Sequence, residues 1–196
     1  MCNLYTLEKG PDAIRKIFEA AQIPLTFPEG IPNFQPRSVR ITDRAPIVRY
    51  NRDSGSAELV ERRWSWPAPG GKPVFNMRSD GREFEHDRCL VVADGFYEFT
   101  KPDDPKQRRK DCWLFRPADG EPFAIAGVVR DSADIGEAFT LLTVPPGPDI
   151  EPYHQRQIAL LSPPQWRSWL DGSVCSKTIL QPAPAGLLSV EAAEVA

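Results

Sequence analysis

The sequence predicts an α+β fold with a mostly antiparallel β-sheet or open barrel-like core and a few flanking helices. Seven short runs rich in β-branched and aromatic residues follow one another, bounded by Gly, Pro or Asp. Only two segments have the periodicity and end signals of helices. The spacings between the runs leave little room for the crossovers that parallel strands need, so antiparallel pairing is favoured.

Two helices are predicted, one near each end of the chain. The first begins after Gly10, which can act as N-cap, with Pro11 in the first helical position. Its apolar stripe consists of Ile14, Ile17, Phe18 and Ala21. The second helix follows Ser162, a favourable N-cap residue, and extends to Leu170.

The predicted strands lie between the two helices. They cover 45–50, 57–64, 88–93, 96–100, 112–116, 123–130 and 139–144. The turn signal Ala93-Asp-Gly-Phe predicts that 88–100 forms one hairpin. We expect a single domain over 1–180, followed by a partly ordered C-terminal tail over 181–196, a segment that contains Pro182, Pro184 and Gly186.

Composition excludes several classes of protein. The chain has no long apolar run and no basic segment followed by an apolar stretch at its start, so we expect a cytoplasmic protein without a membrane partner. It has two histidines and four scattered cysteines: Cys2, Cys89, Cys112 and Cys175. No pair has the spacing of zinc ligands, and a reducing compartment argues against disulfides, so no metal or cofactor is expected.

The net charge of −3 conceals two basic segments. From Arg37 to Arg63 there are seven arginines against four acids, and from Lys101 to Arg116 there are six bases against three acids. Such segments fit contacts with nucleic acid phosphates, and they equally fit solvated strand faces and a polar loop.

Cys2 is the first candidate for chemistry. Removal of Met1, which is expected before a small residue, would leave a thiol beside a free α-amine. The reference pKa values, about 8 for the amine and about 8.5 for the thiol, make both nucleophilic forms accessible around neutrality. This aminothiol can attack an aldehyde as a Schiff base and then close a thiazolidine ring by thiolate addition. The alternative is a cysteine that merely follows Met1.

Three further segments could assist such a nucleophile. Glu98 alternates with apolar residues in a strand, so an inward carboxylate would have a raised pKa and could act as a general acid. His154 lies in a loop and could exchange protons near neutrality. Asn76 and Arg78 offer donors to a phosphate or an oxyanion. Each residue also has an ordinary reading: an exposed strand glutamate, a loop histidine and a polar turn.

Six motifs occur in an order that resembles one protein family. They are Met1-Cys2; Arg63-Trp-Ser-Trp-Pro, similar to Trp-Gly-Leu-Ile/Val-Pro; Asn76-Met-Arg-Ser-Asp, similar to Asn-Ala-Arg-Ser/Ala-Glu; Arg88-Cys-Leu-Val-Val-Ala-Asp-Gly-Phe-Tyr-Glu-Phe, similar to Arg-Cys-Leu-Ile/Val-Pro-Ala-x-Gly-Phe-Tyr-Glu-Trp; Phe123-Ala-Ile-Ala-Gly-Val; and His154-x-Arg156. Over most of its length the chain resembles the SRAP family, the SOS response-associated peptidase domain associated with abasic-site processing.

The resemblance implies specific roles. Cys2 would capture the aldehyde of a ring-opened abasic site in single-stranded DNA as a thiazolidine crosslink, shielding the site as part of the DNA damage response. Glu98 would assist ring opening and proton transfer, His154 would stabilise or protonate the sugar oxygen, and Asn76 would hold the N-terminus and the lesion. The implied DNA contacts are the phosphate-binding Arg62, Arg63, Arg78 and Arg156 and the stacking or wedging Trp64 and Trp66. The implied protein is a monomer, without metal or cofactor, that is associated with the nucleoid if bacterial.

The sequence departs from the family pattern in three places. Asn3 and Leu4 stand where Gly and Arg are usual, Trp66 replaces a small apolar residue, and Gln157-Ile follows Arg156 where Met-Pro is common. These departures concern DNA contacts and leave the proposed chemical groups in place. Two other functions stay open at this point: a cysteine peptidase or autopeptidase that uses Cys2, His154 and Glu98, and a non-covalent single-strand binding module.

Overall fold

The computed structural model describes residues 2–104 and 106–194. Its helices are α1 (Pro11–Ala20), α2 (Pro163–Asp171) and α3 (Ser176–Ile179). Its first eight strands are β1 (Leu4–Leu7), β2 (Leu25–Thr26), β3 (Arg37–Arg40), β4 (Arg44–Asn51), β5 (Ser56–Trp64), β6 (Trp66–Pro67), β7 (Pro73–Val74) and β8 (Asn76–Arg78). The remaining strands are β9 (Arg88–Val92), β10 (Gly95–Thr100), β11 (Asp111–Pro117), β12 (Ala124–Ser132), β13 (Gly136–Val144), β14 (Gln157–Ile158), β15 (Leu160–Leu161) and β16 (Leu188–Ala192).

Two large sheets form the core and confirm the predicted fold class. One is a five-stranded antiparallel sheet in the order β16-β11-β10-β1-β3. The other has nine strands, and its strands β13-β12-β9-β4-β5 form a closed barrel because β5 also pairs with β13. This closing pair is parallel, with Trp64 opposite Phe139. The barrel is therefore closed by a long-range contact that local spacing does not reveal.

The hairpin predicted over 88–100 is wrong. Strand β9 pairs with β4 and β12 in the nine-stranded sheet, whereas β10 pairs with β1 and β11 in the five-stranded sheet. The Asp94 carboxylate accepts hydrogen bonds from the backbone N–H groups of Glu8, at 2.6 Å, and Lys9, at 3.1 Å. The turn therefore leads the chain from one sheet to the other, since a turn signal specifies a change of direction and not the partner strand.

Both predicted helices form and pack on the barrel. In α1 the buried residues are Ile14 and Phe18, and the Phe18 ring stacks on Trp166 of α2 at 4.5 Å. In α2 the indole N–H of Trp169 donates to the Cys89 carbonyl at 2.8 Å, which ties the helix to β9. In the described part of the chain, no helix is long and apolar enough to cross a membrane.

The segment predicted as a tail contributes a strand. Within its described part, β16 pairs with β11 over five residue pairs, from Trp113 opposite Ala192 to Pro117 opposite Leu188. The Asp149 carboxylate accepts hydrogen bonds from the N–H groups of Gly186, at 2.9 Å, and Leu188, at 3.0 Å. These contacts fix the approach to β16, while residues 195 and 196 lie outside the described residues.

Candidate active site

Cys2 lies just before β1 and is fully buried. Its carbonyl accepts a hydrogen bond of 2.7 Å from Asn76 Nδ2, and its Sγ donates to the Leu4 carbonyl at 3.3 Å. The backbone position of Cys2 is therefore set by β8, which carries Asn76. The predicted removal of Met1 concerns a residue outside the described ones.

The Cys2 thiol is held in its neutral form. Burial raises the pKa of the thiol well above its usual range, and the negative charge of the Glu98 carboxylate raises it further. The expectation that the thiolate is readily accessible near neutrality is therefore wrong for the buried residue. Since the thiolate is the nucleophilic form, reaction at Sγ requires a group that accepts the thiol proton.

Glu98 lies on the inner face of β10 and is 1% exposed. Its register partner on β11 is Trp113, and Phe96 shares its face of the strand. Burial raises the pKa of the Glu98 carboxyl, because the charged form loses hydration. A carboxyl of this kind can hold a proton closer to neutrality than an exposed glutamate and can exchange it with a nearby thiol or a bound molecule.

His154 lies in the loop after β13 and is half-buried. Both the N–H of Arg156, at 2.9 Å, and its carbonyl oxygen, at 3.0 Å, lie within hydrogen-bond distance of Nδ1, and the tautomer of the neutral ring decides which of the two it pairs with. Burial lowers the pKa of His154, which favours this neutral ring. A neutral ring can take up or release a proton in contact with a bound molecule.

Aromatic packing holds the His154 loop against the sheet that carries Glu98. Trp113, the register partner of Glu98, has its ring centroid 5.0 Å from that of Tyr153. The Tyr153 ring also makes an edge-to-face contact with Phe115 of β11, with ring centroids 5.2 Å apart. Since His154 directly follows Tyr153, these contacts bring the loop to the face of the sheet that bears Glu98.

Asn76 and two of the predicted arginines meet along the pairing of β8 with β13. Asn76 lies opposite Leu141, and Arg78 lies opposite Thr143. Arg156 donates to the Thr143 carbonyl at 2.7 Å, so the Arg156 guanidinium reaches the strand residue that pairs with Arg78. The Oδ1 atom of Asn76 is buried and has no hydrogen-bond partner among the described residues, and it is therefore a candidate acceptor for a bound molecule.

Two residues that hold Arg156 were not singled out from the sequence. Asp80 forms an ion pair with Arg156 at 2.6 Å, and the Arg156 guanidinium lowers the pKa of the Asp80 carboxyl. Thr143 accepts from the same guanidinium through its carbonyl. Asp80 ends the motif Asn76-Met-Arg-Ser-Asp, so the motif was the available signal, whereas Thr143 carries no local signal.

The two arginines predicted on β5 differ in their contacts. Arg62 forms an ion pair of 2.6 Å with Glu29 and a second one with Glu137, and its side chain is 11% exposed. Hydrogen bonding to Glu29 raises the pKa of Arg62 above its usual range. Arg63 is half-buried, and its Nε has no hydrogen-bond partner among the described residues. Arg62 is therefore already neutralised by protein carboxylates.

The two tryptophans predicted to contact DNA are buried. Trp64 has no exposed surface, and its indole N–H donates to the Phe75 carbonyl at 2.8 Å. Its ring packs against Tyr5 at 5.3 Å. Trp66 is 4% exposed. The prediction that these rings stack on a base is therefore wrong for this conformation, because protein atoms already cover them.

The described residues contain no cluster of three or more His, Cys, Asp or Glu side chains that could hold a metal ion. All four cysteines are free thiols. Cys89 is fully buried in β9, and a Cβ built on Gly127 would lie 2.9 Å from its sulfur, so Cys89 fills a tight space in the barrel. The packing role predicted for Cys89 fits this position.

Comparisons with solved structures agree with the fold. A phage-related protein of Bordetella bronchiseptica matches with a TM-score of 0.76 and 20% identity, over 99% of this chain and 95% of that one. A second Bordetella bronchiseptica protein matches with a TM-score of 0.69 and 22% identity, over 99% and 100% of the two chains. A Bacteroides thetaiotaomicron protein matches with a TM-score of 0.70 and 16% identity, over 98% and 92%.

Sequence comparisons identify the family. The chain is 30% identical over 169 residues to the abasic site processing protein YedK of Escherichia coli strain K12, which covers 74% of each chain. It is 25% identical over 199 residues to the abasic site processing protein YoaM of Bacillus subtilis strain 168, over 92% of this chain and 84% of that one. The family model SOS response associated peptidase (SRAP) matches residues 1–195. The chain therefore belongs to the SRAP family.

Proposed function

We propose that this protein processes abasic sites in single-stranded DNA by forming a thiazolidine crosslink at Cys2. The observation that carries the proposal is the buried Cys2, held through its carbonyl by Asn76 and close enough to Glu98 for the carboxylate charge to raise its pKa. Two curated relatives are named abasic site processing proteins, and this supports the choice of substrate.

The reaction begins at the α-amine of Cys2, which is free once Met1 is removed. The amine nitrogen adds to the C1′ aldehyde of the ring-opened sugar, and the resulting carbinolamine loses water to give an imine. The Cys2 sulfur then forms a bond to the imine carbon, and the imine nitrogen ends with the proton that the thiol releases. The net change is aldehyde plus aminothiol to thiazolidine plus water, so no oxidant or cofactor is consumed.

Glu98 and His154 supply the proton transfers. The raised pKa of Glu98 lets its carboxyl donate a proton to the departing hydroxyl and then, as carboxylate, accept the proton from the Cys2 thiol. His154 would stabilise or protonate the sugar oxygen as the sugar ring opens. Asn76 Oδ1 can accept a hydrogen bond from the amine or from a sugar hydroxyl. The exposed Arg78 would contact a phosphate beside the lesion, and Arg156 would do so by exchanging part of its ion pair with Asp80 for the phosphate.

The neutral thiol weighs against a cysteine peptidase acting on other proteins. Such enzymes use a thiolate with a lowered pKa beside a protonated histidine, whereas here burial raises the pKa of Cys2 and lowers that of His154. A non-covalent binding module would need no buried thiol held by an asparagine. Both alternatives predict that no DNA adduct forms.

Mass analysis of the protein with an abasic oligonucleotide tests the proposal. We expect a denaturant-resistant adduct whose mass equals protein without Met1 plus oligonucleotide minus water, localised to the N-terminal peptide. Cys2→Ala should abolish it. Cys175→Ala is the matched control, because Cys175 is exposed and its thiol donates a hydrogen bond to Glu83, outside the Cys2 site. An adduct of unchanged yield in Cys2→Ala, or no adduct with the Met1-free protein, would refute the proposal.

A further inference from the structure

We propose that Trp113 and Tyr153 form a stacking shelf for a base next to the abasic residue, and that the loop between β10 and β11 holds the phosphates of the same strand. This inference rests on the function proposed above and adds the surface that binds the neighbouring nucleotide. It replaces Trp64 and Trp66, whose rings are covered by the protein.

The position of the shelf follows from the pairing of β10 with β11. Trp113 lies directly opposite Glu98 and on the same face of the sheet. Tyr153 packs on Trp113 with ring centroids 5.0 Å apart and a 60° angle between the rings, and it directly precedes His154. If the abasic sugar binds at Glu98 and His154, the next nucleotide of the strand therefore lies beside this aromatic pair.

The shelf differs from the aromatic core in its exposure. Tyr5, Trp64, Phe96 and Phe115 have no exposed surface. Trp113 and Tyr153 are only half-buried and keep part of their surface in contact with solvent. The Trp113 indole N–H already donates to Thr100 Oγ1 at 2.9 Å, which fixes the ring without a ligand. A rigid, partly open aromatic pair can stack on any base, so its contribution does not depend on sequence.

The loop between β10 and β11 adds positive charge beside the shelf. Its cations, here called the loop cations, are exposed: Lys101, Lys106, Arg108, Arg109 and Lys110. None takes part in an ion pair with another described residue, in contrast to Arg62. Burial is the main cause that lowers the pKa of His154, and the charge of Lys110 lowers it further. Lys110 therefore lies within electrostatic reach of the reaction site. Unpaired cations near an aromatic pair suit a single-stranded phosphate backbone.

The chemistry of the lesion makes such a shelf useful. An abasic residue has no base, so the bases on either side lose a stacking partner in the free strand. Stacking one of them on Tyr153 would recover that contact and favour abasic over intact strands at this position. By analogy with other single-strand binding proteins, the loss of one stacked base weakens binding about tenfold.

Fluorescence of 2-aminopurine placed beside a tetrahydrofuran residue tests the shelf. Tetrahydrofuran lacks the aldehyde, so binding is measured without crosslinking. We expect the protein to quench 2-aminopurine on one side of the lesion. Tyr153→Leu should restore the fluorescence and raise the Kd about tenfold, whereas Tyr153→Phe should behave like the original protein. Tyr50→Leu is the control, because Tyr50 is also half-buried but lies on β4 of the nine-stranded sheet, whereas Trp113 lies in the five-stranded sheet.

The loop cations are tested by salt dependence. Replacing Arg109 and Lys110 with Gln should reduce the slope of log Kd against log salt by about one to two, at unchanged 2-aminopurine quenching. A slope equal to that of the original protein would overturn the loop contact. Absent quenching, or equal quenching by Tyr153→Leu, would overturn the shelf. Adduct formation on a natural abasic site is measured in parallel: an adduct without quenching refutes the shelf alone, and quenching without an adduct refutes the crosslinking function alone.

Discussion

Two regions of the molecule hold ionisable groups in opposite forms, charged in one and neutral in the other. In the arginine–glutamate cluster (Glu29, Arg49, Glu58, Arg62 and Glu137), each charge has a partner of opposite sign, such as Arg49 with Glu58 at 3.0 Å. In the Cys2 site (Cys2, Asn76, Glu98 and His154), burial raises the pKa values of Cys2 and Glu98 and lowers that of His154. Each of these three groups is therefore favoured in its neutral form.

This difference separates stability from chemistry. Paired charges stay ionised and hold strands together, so Arg62 and Glu29 titrate outside the neutral range. Groups whose pKa is shifted by burial so that the neutral form is favoured can change their protonation during a reaction. Arg49 and Arg62 of the basic segment therefore belong to the architecture of the barrel, although the charge of the segment alone suggested DNA binding.

The largest expected effect comes from removing the titrating carboxyl. Glu98→Gln should slow adduct formation by a factor of about 100 or more, because the variant can neither donate nor accept the proton of the thiol. The Kd for a tetrahydrofuran strand should change less than about threefold. Single-turnover kinetics at saturating DNA measures the rate. Glu121→Gln, an exposed glutamate, is the control, and equal losses of rate and affinity would contradict the acid–base role.

Breaking the arginine–glutamate cluster should lower stability and leave the rate of adduct formation unchanged. Glu137→Gln removes a carboxylate shared by Arg49 and Arg62 and should lower the free energy of unfolding by about 1–3 kcal/mol. Urea denaturation measures the change. The rate of adduct formation by the folded variant should stay the same. A loss of rate at unchanged stability would show that the two regions are not separate in function.

Ser65 lies between β5 and β6, and its N–H donates to the Phe139 carbonyl of β13 at 2.8 Å. Its φ of 89° is in the left-handed region, and its Oγ is buried without a hydrogen-bond partner among the described residues. Ser65→Gly should raise the free energy of unfolding by about 1 kcal/mol, since Gly adopts this φ without strain. Ser65→Ala keeps the Cβ and should gain less; an equal gain would assign the effect to the hydroxyl.

The smallest effect should appear in the pH dependence of stability. Burial raises the pKa of Glu98 in the folded state, so the folded protein binds this proton more tightly than the unfolded chain. Stability should therefore fall as pH rises from the ordinary glutamate pKa through the raised value. Glu98→Gln lacks this loss, so the difference in Tm between variant and original should shift in favour of the variant over that window. A difference that is constant with pH would contradict the raised pKa.

The sequence determined most of the secondary structure. The helices after Gly10 and Ser162 form because capping residues and apolar stripes act over one or two turns. The seven predicted strands correspond to β4, β5, β9, β10, β11, β12 and β13. Position and residue chemistry indicated the candidates Cys2, Asn76 and Glu98, and six motifs that include these residues indicated the family. These features depend on neighbours in the chain, which a sequence displays directly.

Tertiary structure decided which segments meet. The Asp94 turn connects two sheets instead of closing a hairpin, because Asp94 binds the N–H groups of Glu8 and Lys9, which are distant in sequence. Trp64 became a core residue because the barrel closes at Phe139. The same closure assigned Arg62 to ion pairs, and the pairing of β8 with β13 brought Arg78 to Thr143. Burial and pairing depend on residues far apart in the chain, so local patterns supplied the chemical groups, and the fold determined their protonation and their exposure.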